Sequence, residues 1–120
     1  MIFLCYPKCT TCKKAKAYLD SSGALYELRD IKENNPSYEE LKAWLDASGL
    51  PIKKFFNTSG LVYKSLNLKE KLPTMSAGEC LQLLSTDGML VKRPLLIGKS
   101  FVLVGFKQGD WEAAIVGGEV

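Results

Sequence analysis

The chain opens on a continuous apolar run, Ile2-Phe3-Leu4-Cys5-Tyr6, with the length and lack of alternation of a strand buried on both faces. Pro7-Lys8-Cys9 interrupts it. From Thr10 to about Ser22 the spacing turns helical. Cys12, Ala15 and Leu19 share one face, lysines occupy the other, and Gly23 stands where a left-handed C-terminal cap belongs. Leu25 to Asp30 reads as a second strand. Strand, helix and strand within about 30 residues form a βαβ unit, which predicts a parallel pair joined by a right-handed crossover.

The middle of the chain is patterned for helices. Ser37 and Glu40 have the spacing of a capping box, Leu41, Trp44 and Leu45 form the apolar stripe behind it, and Gly49 with Pro51 ends it. A shorter helix is predicted from about Ser59 to Leu66. Ser76 and Glu79 repeat the capping box, with Cys80, Leu83 and Leu84 on one face until Asp87-Gly88. Leu95-Leu96-Ile97 and Phe101 to Val104 then flank Gly98-Lys99-Ser100 as a hairpin. Gly109-Asp110 opens a last helix carrying Trp111, Ala114 and Ile115, and the Gly117-Gly118-Glu119-Val120 tail is expected to be loose. The order is β-α-β, a helical block at about 37–88, then β-β-α. That is the thioredoxin-like arrangement: an α/β fold with a mixed four-stranded sheet and a helical insertion between its halves. The 120 residues fit one domain, without repeat or linker.

An apolar fraction of 47% suffices for a core, and no stretch approaches the length of a membrane span. The opening residues lack the basic segment and cleavage site of a signal peptide, so a cytoplasmic protein is expected. A net charge of +3 is far from that of a nucleic-acid binder. Its placement says more: Lys8, Lys13, Lys14 and Lys16 surround Cys9 and Cys12, and Lys92-Arg93 precede Pro94. Such charge suits either a solvated face or a site for an anion or thiolate.

The absence of histidine removes Cys-His and Ser-His nucleophilic pairs and His-containing zinc sites. Only one of the possible cysteine pairs has knuckle spacing, so no metal is expected. Cys9-Thr10-Thr11-Cys12 at a strand-to-helix junction is instead the pattern of thiol redox chemistry. The free amides and dipole of a helix start stabilise a thiolate, which makes Cys9 the candidate nucleophile, with Lys8 and Lys13 adding to the effect. Cys12, one turn on and facing inward, is the candidate resolving thiol. Cys5 and Cys80 fall on apolar faces and are expected in the core. A cis Arg93–Pro94 bond is expected at the start of the third strand, with Arg93 near Cys9 and able to fork onto an oxyanion.

Three segments carry a family resemblance: Tyr6-Pro7-Lys8-Cys9-Thr10-Thr11-Cys12-Lys13-Lys14-Ala15, the stretch from Gly49 to Gly60, and Asp87 to Pro94, continued by Val104-Gly105-Phe106. Over nearly its full length the chain resembles the glutaredoxin-type arsenate reductase family, which also contains the Spx regulators and the YffB and YusI proteins. The resemblance implies a thiol-dependent oxidoreductase in which Cys9 and Arg93 match the catalytic cysteine and an oxyanion arginine. Lys8, Thr10, Thr11, Asn57 and Pro94 would then complete the substrate site. No cofactor is expected to be bound; glutathione, thioredoxin or glutaredoxin would supply electrons, and partners would be a small thiol or oxyanion and a redox protein. The chain departs from arsenate reductases proper at Asn57 and at Phe106-Lys107, where they carry further arginines, which argues against efficient arsenate reduction. The phosphatase-like arsenate reductases place Arg six residues after Cys; here those positions are Thr11, Ala15 and Tyr18. The alternative is an Spx-like redox switch that binds RNA polymerase, although Pro51 stands where those regulators have glycine.

Overall fold

In this computed structural model, which describes residues 1–117, the elements run in chain order as β1 (Ile2–Cys5), α1 (Thr10–Ser22), β2 (Glu27–Asp30), α2 (Tyr38–Ser48), α3 (Leu61–Ser65), α4 (Leu68–Lys71), α5 (Ala77–Leu84), β3 (Leu95–Ile97), β4 (Val102–Val104) and α6 (Gln108–Gly117). Short 3₁₀ turns at Ile52–Phe55, Leu72–Thr74 and Gly88–Leu90 join them. The loose tail expected at the C-terminus falls, from Gly118 on, outside the described residues. Two compact units are formed, one by Met1–Asp30 with the chain from Arg93 onward, the other by Ile31–Lys92.

The first unit is the sheet and its helices. Strand order is β2-β1-β3-β4, with β1 parallel to β2 and antiparallel to β3, and β3 antiparallel to β4. This is the mixed four-stranded sheet that the element order predicts. The continuous apolar run of β1 has its explanation in that order, since β1 is central and Phe3, Leu4 and Cys5 are all buried. Phe3, Cys5 and Leu96 pack with Cys12, Ala15 and Leu19 of α1 and with Trp111 of α6 in one cluster. Trp111 meets the edges of Phe3 and Phe106 at centroid distances of 6.0 and 5.0 Å, and its indole N–H donates to the Gly105 carbonyl at 3.1 Å. Edge-to-face aromatic pairs contribute about 0.5–1.5 kcal/mol each beyond the area they bury. Gly23 ends α1 at φ 75°, the left-handed cap expected there. Strand β2 is shorter than expected: pairing begins at Glu27, opposite Ile2, and leaves Leu25 outside the ladder and largely exposed.

The second unit is helical. Ser37 and Ser76 each accept from the backbone N–H three residues on, while Glu40 and Glu79 return the bond, so both capping boxes form as the spacing predicts. Helices α2 and α5 pack together. Helix α3 is trimmed to Leu61–Ser65, and Asn67, at φ 54°, separates it from the unanticipated α4. A short antiparallel pairing also escaped the pattern. Phe56 bridges Val91, the Asn57 N–H donates to the Leu90 carbonyl at 2.7 Å, and the Lys92 N–H donates to the Phe55 carbonyl at 2.7 Å. Neither segment alternates long enough to be recognised as a strand.

Gly88 does more than stop a helix. It is buried, and a methyl group there would overlap the backbone carbonyl of Ile31. Because backbone cannot swing aside as a flexible side chain does, Gly88→Ala should destabilise the protein by about 2–3 kcal/mol, the range for overpacking. Ser76→Ala, which removes one cap, should cost about 1 kcal/mol. Urea unfolding of the two variants checks the order; equal midpoints for wild type and Gly88→Ala would remove the steric reading.

Candidate functional site

Strand β1 hands over to α1 through Tyr6-Pro7-Lys8-Cys9, and the Tyr6 backbone organises the junction. Its carbonyl accepts the Cys9 N–H at 2.9 Å, and its N–H donates to the Cys12 sulfur at 3.3 Å. Its ring lies beneath the Arg93 guanidinium, 5.4 Å from the ring centroid. One residue therefore touches three of the expected site groups. Arg93–Pro94 is cis, as the sequence predicts.

Cys9 is the N-cap of α1, with extended backbone, and is half-buried; Cys12, in the first turn, is buried. Their thiols are driven in opposite directions. Burial pushes the Cys9 thiol up, but the Cys12 N–H, the Cys12 thiol and the Arg93 guanidinium together outweigh it, and its pKa falls below the ordinary thiol value. The neutral Cys9 side chain closes no capping hydrogen bond onto the helix. The favourable interaction belongs to the thiolate, which the Cys12 amide and Arg93 face. The cause is the free amide of a helix start, as the motif's position predicts, joined by one arginine. Lys8 and Lys13 are exposed and are not among the strongest influences on Cys9.

Burial pushes the Cys12 thiol up to about 12, against the Tyr6 N–H, and the charges of ionised Cys9 and Cys5 raise it further. Cys5 is also raised, by burial first and then by Asp30. Cys80, buried on α5, is raised by burial and by Glu79. Of the four thiols, Cys9 alone is lowered and is the most exposed in class. Among the described residues no three ligating side chains gather as a metal site.

Arg93 is half-buried, and two of its guanidinium nitrogens, Nε and Nη1, are shielded from solvent with no hydrogen-bond partner among the described residues. A charged donor left in that condition is costly, and an oxyanion or carboxylate is its natural complement. Thr10 and Thr11 are exposed at the start of α1, and Lys8 is exposed just ahead of it. Pro94 is buried, and its carbonyl accepts the Gly105 N–H at 2.8 Å. Asn57 belongs to the second unit, where its N–H is bound to Leu90 and its Oδ1 accepts the Ser59 hydroxyl at 3.2 Å. The role of Tyr6 was not foreseen from sequence. Its only signal was its place between the apolar run and the Cys9-to-Cys12 motif.

No helix among the described residues is long and apolar enough to cross a membrane. The ArsC family model matches residues 4–114. The YusI protein of Bacillus subtilis (strain 168) is 54% identical over 112 residues, covering 93% of this chain and 95% of its own. The global transcriptional regulator Spx of Enterococcus faecalis is 30% identical over 105 residues, covering 87% of this chain and 77% of its own. A crystal structure of an ArsC family related protein from Bacteroides fragilis superposes with a TM-score of 0.91 at 58% identity, covering 92% of this chain and 93% of that one. With its mixed sheet, its thioredoxin-like fold and a family match across most of its length, this chain belongs to the ArsC family.

Proposed function

We propose that the protein is a thiol-dependent oxidoreductase in which Cys9 attacks and Cys12 resolves. The observation that carries this reading is the opposed pair of thiols one helical turn apart, the leading one lowered beside Arg93 and the trailing one raised by burial. The Cys9 thiolate attacks a sulfur of a disulfide substrate, forming a mixed disulfide and releasing one thiolate product. That step removes the negative charge of Cys9, one of the influences that holds Cys12 protonated. Cys12 then loses its proton to solvent and attacks the Cys9 sulfur. The second product leaves as thiolate; the substrate disulfide has then gained two electrons, and the Cys9 and Cys12 thiols have lost them in becoming a disulfide. Glutathione, or a thioredoxin or glutaredoxin, returns two electrons and restores both thiols. Arg93 would hold an anionic group of the substrate or reductant, with Lys8, Thr10, Thr11 and Pro94 shaping the site around it. The departures at Asn57 and Phe106-Lys107 favour a disulfide substrate over arsenate itself.

A second reading, a redox-switched regulator that binds RNA polymerase, is favoured by the likeness to Spx. Against it stands Pro51, where the resemblance to those regulators implies a glycine. Capture of purified RNA polymerase on the immobilised protein distinguishes the two; the enzyme reading expects none, in either redox state.

The pH dependence has a definite sign. A thiol whose pKa is lowered is ionised at lower pH than a free one, so the pH profile of Cys9 alkylation by iodoacetamide should have its midpoint below the free-thiol value of about 8.5. Arg93→Gln removes one of the groups that lower it, so its profile should move to higher pH. Mass mapping of the alkylated residue across pH checks both; a wild-type midpoint at the free value would sink the thiolate assignment. In a glutathione-linked assay with hydroxyethyl disulfide, Cys9→Ser should lose turnover. Cys12→Ser should accumulate a mixed disulfide at Cys9, visible by intact mass as an adduct that the wild type does not retain.

A further inference from the structure

The second unit contains a cavity of about 160 Å³. Phe56, Tyr63, Leu72 and Met75 supply most of its apolar wall, and the buried Cys80 thiol lines it as well. Burial, reinforced by the neighbouring Glu79, raises the Cys80 pKa, so this wall stays uncharged. An apolar space of about 150 Å³ is large enough for a benzene ring, and water in such a space needs two to four polar partners. Here the lining is chiefly carbon and sulfur.

Two cations break the apolar lining. Lys53 and Lys69 both border the cavity and are exposed, and neither forms an ion pair with an acidic side chain among the described residues. The lysines therefore favour an anionic head group over a neutral or cationic one. Tyr63 also lines the cavity, and its hydroxyl, which is not among the shielded polar atoms, has no hydrogen-bond partner among the described residues. Apolar body, adjoining ammonium groups and a hydroxyl together define the complement of a small amphipathic acid.

We propose that this cavity binds a small apolar carboxylate, its hydrocarbon or aryl body of roughly six heavy atoms among Phe56, Tyr63, Leu72 and Met75 and its carboxylate between Lys53 and Lys69. The site lies wholly within Ile31–Lys92 and does not depend on the thiol chemistry proposed for Cys9.

The test is a titration of the reduced, ¹⁵N-labelled full chain with hexanoate, benzoate, 1-hexanol and inorganic phosphate, followed by amide NMR shifts. Hexanoate and benzoate should shift the amides of Phe56, Tyr63, Met75 and Cys80 saturably, 1-hexanol the same amides several-fold more weakly, and phosphate none of them. The Lys53→Gln/Lys69→Gln double variant should weaken hexanoate about fivefold, as expected for two partly screened charges, and leave 1-hexanol unchanged. Arginine at both positions should restore hexanoate binding. Amide resonances of Ile31–Lys92 that keep the wild-type dispersion show that the glutamine variant is folded. Hexanoate binding no tighter than 1-hexanol, equal hexanoate binding by the glutamine variant, or shifts confined to surface lysine amides without saturation each overturns the proposal.

Discussion

The site rests on a contest at one sulfur. Cys9 is half-buried, which disfavours charge, yet it caps a helix whose unpaired amides favour charge, and a guanidinium stands beside it. The favourable side prevails because the Cys12 N–H and Arg93 act at short range on an ion that is only partly solvated. Three residues along, the same helix carries a sulfur with no such support beyond the Tyr6 N–H, and there burial prevails. A single turn of helix thus separates a thiol prepared to ionise from one held neutral.

Tyr6 makes that separation rigid. Its two backbone groups are bonded to Cys9 and to the Cys12 sulfur, and its ring meets the Arg93 guanidinium. The tyrosine sits directly after β1, whose burial between β2 and β3 leaves it little freedom. Behind it, Phe3, Cys5, Ala15, Leu19, Leu96 and Trp111 close the core that holds α1 on the sheet. Packing, strand order and thiol geometry are therefore one arrangement: a void under α1 would loosen the same turn that positions both sulfurs.

Arg93 is the part of the site that is unfinished as the chain stands. Stacking on Tyr6 compensates some of its desolvation, but Nε and Nη1 have no partner among the described residues. Retaining such a group beside the Cys9 thiol costs stability. In the second unit, Lys53 and Lys69 border an apolar cavity with no acidic partner among the described residues, but they are exposed and so remain solvated.

Much of this was legible along the chain because it is local. Capping boxes at Ser37 and Ser76, the left-handed cap at Gly23, the helix end at Gly49, and the buried stripe of Cys12, Ala15 and Leu19 depend on residues within one or two turns. The Cys9-to-Cys12 spacing and the apolar run of β1 were equally local, whereas the cis Arg93–Pro94 bond at the head of β3 was expected from the thioredoxin-like element order. What involved distant residues was not legible. The Phe56–Val91 bridge joins positions too short and too irregular to read as strands, the need for glycine at 88 comes from the carbonyl of Ile31, and the cavity is defined by side chains from several helices. The direction of each thiol's pKa likewise waited on the fold: sequence supplies the sulfur and its place on the helix, but burial and the approach of Arg93 are set only when separate segments close around them.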